Sequence, residues 1–403
     1  DKLKIVQKLD LLGVDYIEAG NPGSNPKDLE FFERVRNLKL NRAKLAAFGS
    51  TRRVGIPVEE DANVKSLLKA GTDAIVIFGK SWDFQVTDIL KTTLDENLRM
   101  IHDTVSYFKS LGKEVIYDAE HFFDGYKANP EYALKTLQAA RDAGADSICL
   151  CDTKGSALPM TIYNVTKKVV EMYDLPIGIH CHNDNGMAVA GSIMAVEAGA
   201  RQVQGTINGL GERCGNANLC TIIPTLQLQM GYSCIPEGSM HEITGVARSI
   251  SEISNVIHDE RAPYVGKYAF AHKAGMHADA VVKNSMAYEM IPPEAVGNER
   301  HFLMSEVAGR SAVLNMIRKI DPTITKDSEE TKIILQKLKE MEYQGYQYEG
   351  AESSFELIIM KVLGKYHPFF ELEDFKVIVN EPTLNGRSNS SAMIKVKVGD
   401  QFE

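Results

Sequence analysis

The sequence lacks the marks of several protein classes. No apolar run approaches the roughly 20 residues that a membrane-spanning helix needs. The opening DKLKIVQKLD alternates charged with aliphatic side chains, unlike a secretory signal peptide. The six cysteines include no pair at C-x-x-C spacing, which argues against a disulfide framework and against a structural zinc knuckle. We therefore expect a cytoplasmic protein with no membrane partner.

The charge balance argues against a nucleic-acid partner. The formal net charge is -9 and no run is rich in lysine or arginine, whereas nucleic-acid binders gain much of their affinity by neutralising phosphates. With 403 residues, 44% of them hydrophobic and 25% charged, the chain can bury one large core and at least one smaller one. These values predict a folded protein without a nucleic-acid surface.

Seven short apolar runs alternate with helix-period segments over the first part of the chain. Continuous apolar runs, as opposed to strict alternation, are typical of strands covered on both faces, and therefore of a parallel α/β sheet. The runs span 14–20, 43–49, 73–79, 114–120, 146–152, 177–182 and 201–207.

Polar residues follow the carboxyl ends of these runs throughout the series, which favours a TIM (β/α)8 barrel. The alternative is a doubly wound open sheet, in which the site lies at one switch point. The chain opens directly on a helix, whereas an eight-fold barrel normally begins with a strand. We therefore expect the first barrel strand to be missing.

The pattern of apolar and polar residues changes twice after the barrel region. We expect a catalytic barrel over 1–235, helical subdomains over 236–350, and the truncated beginning of a C-terminal α+β domain over 351–403. In the last segment FELIIMKVL, FKVIVNE and AMIKVKVGD have the composition of strands, with a turn-rich NGRSNSS between the last two.

The densest chemical signal is IHCHND at 179–184. Residues two apart on a strand face the same side, so His180 and His182 project together at the carboxyl end of a barrel strand. Neutral imidazoles paired in this way suit a divalent cation. The alternative is a pair of hydrogen-bonded histidines near a strand end.

The segment NGLGERCGNANL at 208–219 follows the last barrel strand. Its glycines match a dinucleotide-binding loop poorly, because that loop follows a first strand. Asn216 instead offers an oxygen toward the same barrel mouth as the histidines, the alternative being an ordinary helix cap. Glu120 and the pair Asp152 and Thr153 stand at two further strand ends, where a carboxylate can accept a proton; solvated helix caps are the alternative there.

HCHNDNGMAVA, with NGLGERCGNANL about 25 residues later, resembles the paired signatures of the 2-isopropylmalate, homocitrate and citramalate synthases. These are metal-dependent TIM-barrel acyltransferases related to HMG-CoA lyase. The resemblance implies condensation of acetyl-CoA with a 2-oxo acid. FGKSWDFQV and FFDGYKANPEYAL resemble the long-form citramalate synthases, which implies pyruvate as the 2-oxo acid, (R)-citramalate as the product and a place in isoleucine biosynthesis.

The resemblance also implies roles for single residues. His180 and His182 match the family's metal ligands, and Asn216 matches a further ligand. Glu120 matches the carboxylate implicated in proton transfer, and Thr153 matches a hydroxyl that binds the carboxylate of the keto acid.

In the helical region, AHKAGMHADAV followed by AYEMIPPEAVG resembles the segment that supplies a catalytic histidine and tyrosine, here His277 and Tyr288. For the exclusion of bulkier keto acids we expect apolar walls such as Phe78 or Trp82, because excluding extra methylenes is a matter of packing.

The implied cofactor is a divalent ion, Mg²⁺, Mn²⁺ or Zn²⁺, and the implied assembly is a homodimer with an amino-acid effector at the C-terminal domain. The sequence departs from the family in one respect. Family members begin with an Asp-Thr-Thr-Leu-Arg-Asp-Gly-like motif, which supplies a substrate-binding arginine and a metal-binding aspartate. No segment of this sequence matches that motif. Three alternatives stay open: a synthase for another 2-oxo acid, an acyl-CoA lyase, and a metabolite-sensing barrel without activity.

Overall fold

The structure is a computed structural model that describes residues 1–273, 275–302, 310–348, 351–381, 389–399 and 401–402. It divides into two units, Asp1–Phe270 with Glu289–Arg300 and Ala271–Tyr288 with His301–Glu403. Within the described ranges, every helix is too short or too polar to cross a membrane. The three-domain division expected from the sequence stays a prediction.

A seven-stranded parallel sheet, with its strands in chain order, forms the centre of the first unit. All seven strands fall on the runs predicted from the sequence, with the second and third strands one residue longer at their carboxyl ends, and helices follow them, which confirms the α/β class. The strands are Tyr16–Glu18 (β1), Lys44–Ser50 (β2), Ala74–Lys80 (β3), Glu114–Glu120 (β4), Ser147–Asp152 (β5), Ile177–Cys181 (β6) and Gln202–Gln204 (β7).

Ten α-helices of the first unit connect and cover these strands. Several begin at a side-chain cap, for example Asp61, whose carboxylate accepts hydrogen bonds from two backbone N–H groups of the first turn. The helices are Lys2–Leu12 (α1), Pro26–Val35 (α2), Ala62–Ala70 (α3), Leu94–Ser110 (α4), Phe122–Ala128 (α5), Pro130–Asp142 (α6), Pro159–Met172 (α7), Ala188–Glu197 (α8), Leu219–Pro224 (α9) and Ile243–Ser254 (α10). Shorter helical turns span Gln85–Ile89, Ile207–Gly209, Thr225–Gln229, Glu237–Glu242 and Pro293–Val296.

The two faces of the sheet differ in what they contact. Tyr117 and Ile148 are fully buried in the large core that the sheet shares with its surrounding helices. Val76 and Ile116 belong to a small apolar cluster on the opposite, inner face. Because side chains alternate along a strand, the inner face of β4 continues from Ile116 to Asp118 and then to Glu120 at its carboxyl end.

The second unit is mainly helical and carries an antiparallel sheet. Its helices are Gly275–Lys283 (α11), Arg310–Ile320 (α12), Glu329–Tyr343 (α13) and Glu352–Val362 (α14), with a short turn at Ser285–Ala287. Its strands are Ala271–His272 (β8), His301–Phe302 (β9), Glu371–Asn380 (β10), Asn389–Val398 (β11) and Gln401–Phe402 (β12).

The strand predicted for FELIIMKVL is wrong, because this run lies in α14. Phe355 and Ile359, one helical turn apart, are both fully buried in a cluster with Ile317 and Ile334 of the preceding helices. A short apolar run fits either a strand or a buried helix, and packing against other helices decides here. FKVIVN lies in β10 and AMIKVKV lies in β11, so these two strands are confirmed. The predicted turn before β11 lies largely outside the described residues.

Candidate functional site

His180 and His182 lie together at the carboxyl end of β6. Their ring centroids are 5.1 Å apart and the ring planes are inclined by 52°. Cys151 of β5 and Gln204 of β7 are the register neighbours of His180. The alternation that placed both imidazoles on one side of the strand therefore holds in the structure.

Both imidazoles are held neutral. Burial, and then the neighbouring His182, lower the pKa of His180 to about 4. Burial, and then Arg213, lower the pKa of His182 as well. A neutral imidazole has a free lone pair on one ring nitrogen, which is the form that binds a metal ion.

The glycine-rich segment after β7 carries Asn216 to the histidine pair. Asn216 forms an antiparallel bridge with His182. The backbone N–H of Ala217 donates to the carbonyl oxygen of Cys181 at 3.0 Å, which joins the segment to the end of β6. The segment thus acts as a short backbone extension of the sheet, with Asn216 beside the second imidazole.

Two glycines make this close return possible. A Cβ on Gly211 would overlap the side-chain amide of Asn216. Gly215 has a φ of +93°, a conformation that L residues rarely adopt, and its Cβ would overlap the carbonyl oxygen of Gly209. The glycines of this loop are therefore needed for the position of Asn216 and do not form a dinucleotide-binding turn.

The atoms of this cluster fit a bound cation. His182 Nδ1 and Asn216 Oδ1 are both buried, and neither has a hydrogen-bond partner among the described residues. A buried polar atom without a partner costs about 1–3 kcal/mol, so a ligand that satisfies it is expected. Two imidazoles and an amide oxygen are suitable donors for a divalent metal ion.

Two residues that the sequence analysis did not name are linked to His180 through side-chain contacts on the inner face of the sheet. His180 Nδ1 lies 3.0 Å from Gln204 Oε1. Gln204 Nε2 donates to Asp118 Oδ1 at 2.8 Å. Burial, and then the nearby Glu18, raise the pKa of Asp118 well above its usual value. The polar residues of three strands therefore form one buried group beneath the imidazoles.

A second cluster has metal-ligating atoms. Ligand atoms of Asp118, Cys149 and Cys151 lie within 4.8 Å of one another, and all three residues are buried. Burial raises the pKa of the Cys149 thiol well above its usual value. Because a cysteine binds metal as the thiolate, a cation there would first have to displace a tightly held proton. The neutral imidazoles are the better fit.

Glu120 is paired with a lysine. Lys80 and Glu120 are register neighbours at the carboxyl ends of β3 and β4. Lys80 Nζ lies 2.5 Å from Glu120 Oε2, and the two side chains are 18% and 22% exposed. Sequence reasoning named Glu120 and missed Lys80, although Lys80 ends an apolar strand in the same way.

Thr153 lies next to Glu120 across the neighbouring strand ends. Its Oγ1 accepts a hydrogen bond from the backbone N–H of His121 at 2.8 Å. Arg213 donates to the carbonyl oxygen of Thr153 at 2.8 Å, which ties the glycine-rich segment to the end of β5. The preceding Asp152 accepts from the backbone N–H groups of residues 156 and 157, so its carboxylate shapes the turn.

Phe78 and Trp82 have different surroundings. Phe78 stacks on Phe48 with 5.1 Å between ring centroids, and together with Lys80 it lines a cavity of about 410 Å³. Trp82 does not line this cavity. Its ring lies 5.7 Å from that of His121. Phe78 is therefore the better placed of the two to limit the size of a substrate.

His277 and Tyr288 lie in the second unit. Their ring centroids are 4.2 Å apart, with 30° between the planes, and Tyr288 is 50% exposed. The structure brings these two together, and their predicted role in catalysis stays a prediction.

Comparison with known proteins gives the family. Residues 1–250 match the HMGL-like family, and residues 264–345 match the homocitrate synthase post-HMGL domain-like family. An (R)-citramalate synthase of Aquifex aeolicus is 50% identical over 399 residues, 99% of this chain and 76% of that protein. One from Geobacter sulfurreducens is 47% identical over 100% of this chain and 76% of that protein. A 2-isopropylmalate synthase of Sulfolobus acidocaldarius is 33% identical over 90% of each chain.

Solved structures share the fold. The hydroxymethylglutaryl-CoA lyase of Pseudomonas aeruginosa superposes with a TM-score of 0.51 at 16% identity, over 64% of this chain and 86% of that chain. The HMG-CoA lyase of Brucella melitensis gives 0.51 at 15% identity, over 62% and 90%. At such identities the likeness concerns the fold alone. The sequence relatives and the two family matches carry the assignment: the chain belongs to the HMGL-like enzymes and, among them, to the (R)-citramalate synthase family.

Proposed function

We propose that the chain condenses acetyl-CoA with pyruvate and water to give (R)-citramalate and CoA, a step toward isoleucine. The observation that carries the proposal is that two groups stand at the carboxyl ends of the strands of one sheet. One is the neutral pair His180 and His182 with Asn216, and the other is the Lys80–Glu120 pair. The (R)-citramalate synthase of Aquifex aeolicus, 50% identical, supports the choice of reaction.

The ring nitrogens of His180 and His182 and the amide oxygen of Asn216 would hold a divalent cation, Mg²⁺, Mn²⁺ or Zn²⁺. Its chemistry when bound is Lewis-acid polarisation of the keto group. The two imidazole nitrogens would favour Zn²⁺, and the amide oxygen would favour Mg²⁺ or Mn²⁺.

Thr153 would orient the keto acid. Its oxygen already accepts a hydrogen bond from the backbone of His121 at 2.8 Å. A hydroxyl has one proton to donate, and that proton remains available for a carboxylate.

Glu120 would take a proton from the methyl group of acetyl-CoA. The C–H electron pair then forms the new C–C bond to the keto carbon, the keto oxygen takes up a proton from water, and Glu120 returns its proton to water. Water cleaves the thioester and CoA leaves. A positioned general base of this kind contributes about 10²- to 10⁴-fold to the rate. Lys80, 2.5 Å from Glu120 Oε2, holds the carboxylate in place for this step.

Phe78 would exclude keto acids larger than pyruvate, because it lines the cavity beside Lys80. We further propose that His277 and Tyr288 act as a pair in proton transfer, supported by their ring contact at 4.2 Å. A homodimer, an amino-acid effector and a cytoplasmic location complete the proposal, as family expectations.

A thiol-reagent assay for released CoA tests the proposal. The purified protein with Mn²⁺ or Mg²⁺ should use pyruvate at least about 10-fold better than 2-oxoisovalerate or 2-oxoglutarate. His182→Ala should abolish the activity, whereas His102→Ala, at a half-exposed helix position, should keep it. Preference for another keto acid, or full activity of His182→Ala, would refute the assignment.

A further inference from the structure

We propose that Gln204 and Asp118 are positioning residues for His180, which keep the imidazole proton on Nδ1 and so present Nε2 to the site. The inference rests on the proposed metal site and adds the residues that prepare one of its ligands.

The three side chains are joined across the inside of the curled sheet. His180 of β6 and Gln204 of β7 are register neighbours on adjacent strands. Asp118 lies on β4, 86 residues before Gln204 and three strands away, yet its Oδ1 is 2.8 Å from Gln204 Nε2. Only the curvature of the sheet brings these two together, so the contact spans the interior beneath the imidazoles.

The chemistry of the amide fixes the direction of the hydrogen bonds. A side-chain amide has one oxygen that only accepts and one nitrogen that only donates. Asp118, which is 4% exposed, accepts from the nitrogen. With the amide in this orientation its oxygen faces His180 Nδ1 at 3.0 Å, which assigns the proton to that ring nitrogen. The lone pair of the neutral ring then lies on Nε2.

The opposite orientation of the Gln204 amide would give the other tautomer of His180, which can be measured. A flipped amide would donate to His180 Nδ1, and Asp118 would have to donate a proton to Gln204 Oε1. The imidazole proton would then sit on Nε2, where it blocks a metal bond. His182 shows the contrast, because its Nδ1 has no such partner among the described residues.

The first experiment reads the tautomer in the metal-free protein. Long-range ¹H–¹⁵N NMR of histidine-labelled protein at pH 7.5 separates the Nδ1–H and Nε2–H forms, and loss of signals in His180→Asn identifies the residue. We expect the Nδ1–H form for His180. The Nε2–H form in the wild type would overturn the proposal.

Matched variants then test the cause. Gln204→Leu should lose the fixed tautomer and bind Mn²⁺ about 10- to 100-fold more weakly in titration calorimetry. Gln202→Leu removes an amide from the same face of β7, where it contacts Ser147 and not His180, and should change neither. Asp118→Asn keeps an acceptor oxygen and should keep the tautomer, whereas Asp118→Leu should lose it.

If Gln204→Leu fails to fold, the comparison of Asp118→Asn with Asp118→Leu still tests the positioning role. Unchanged tautomer and Mn²⁺ affinity in folded Gln204→Leu, or an equal loss in Gln202→Leu, would overturn the positioning role. If the wild type binds no Mn²⁺ but Gln204→Leu still loses the Nδ1–H form, the metal site fails and the positioning role stands.

Discussion

Lys80→Met removes the cation that holds Glu120, and we expect it to lower the rate of condensation far more than it lowers stability. The two side chains are 18% and 22% exposed and meet at 2.5 Å, so water screens the pair only in part. A hydrogen bond to a charged group contributes about 1.5–3 kcal/mol. If that energy serves to keep the carboxylate in its reactive position, kcat falls roughly 10- to 150-fold.

The assay is CoA release at saturating pyruvate and acetyl-CoA, with thermal unfolding followed in parallel. Lys44→Met is the matched control, because Lys44 pairs with Glu114 at 2.8 Å at the opposite end of the strands. Lys80→Arg keeps the charge and should recover part of kcat. A kcat of Lys80→Met within about twofold of wild type, less than half a kcal/mol, would refute the reasoning. So would an equal loss in Lys44→Met.

Three further predictions concern the metal cluster and the cavity. Burial and His182 lower the pKa of His180 from 6.5 to about 4, so the unfolded chain binds this proton first as the pH falls. The imidazole should therefore take about 2 kcal/mol from the stability of the metal-free protein between pH 7 and pH 5, measured as the difference between wild type and His180→Asn in urea titrations. Gly211→Ala should push the Asn216 amide aside and weaken Mn²⁺ binding in calorimetry, whereas Gly238→Ala, with open space around its Cβ, should not. Phe78→Ala should raise kcat/KM for 2-oxoisovalerate relative to pyruvate by about 10-fold, and an unchanged ratio would remove Phe78 from the specificity pocket.

The barrel strands could be predicted because each is a continuous apolar run with a clear end. The period of two along a strand also placed His180 and His182 on one side, as the structure has them. Asn216 was expected at the same mouth, and the bridge to His182 shows how the chain brings it there. These features depend on local sequence, which is why they could be read without a structure.

Features that depend on register and curvature could not be predicted. Lys80 and Glu120 meet because β3 and β4 pair in one particular register. Gln204 contacts Asp118 because the sheet is curved, and the separation of the two residues along the sequence does not reveal that curvature. Likewise FELIIMKVL became a helix because its apolar residues meet a helical cluster, including Phe355, and not a sheet.

Anomalous diffraction from crystals soaked with Mn²⁺ and pyruvate tests the central claim most directly. We predict a manganese peak within bonding distance of His180 Nε2, His182 and Asn216, with pyruvate oxygens completing the coordination. A map with no peak beside the imidazoles, or with manganese only at the buried cluster of Asp118 with its two cysteines, would contradict the account.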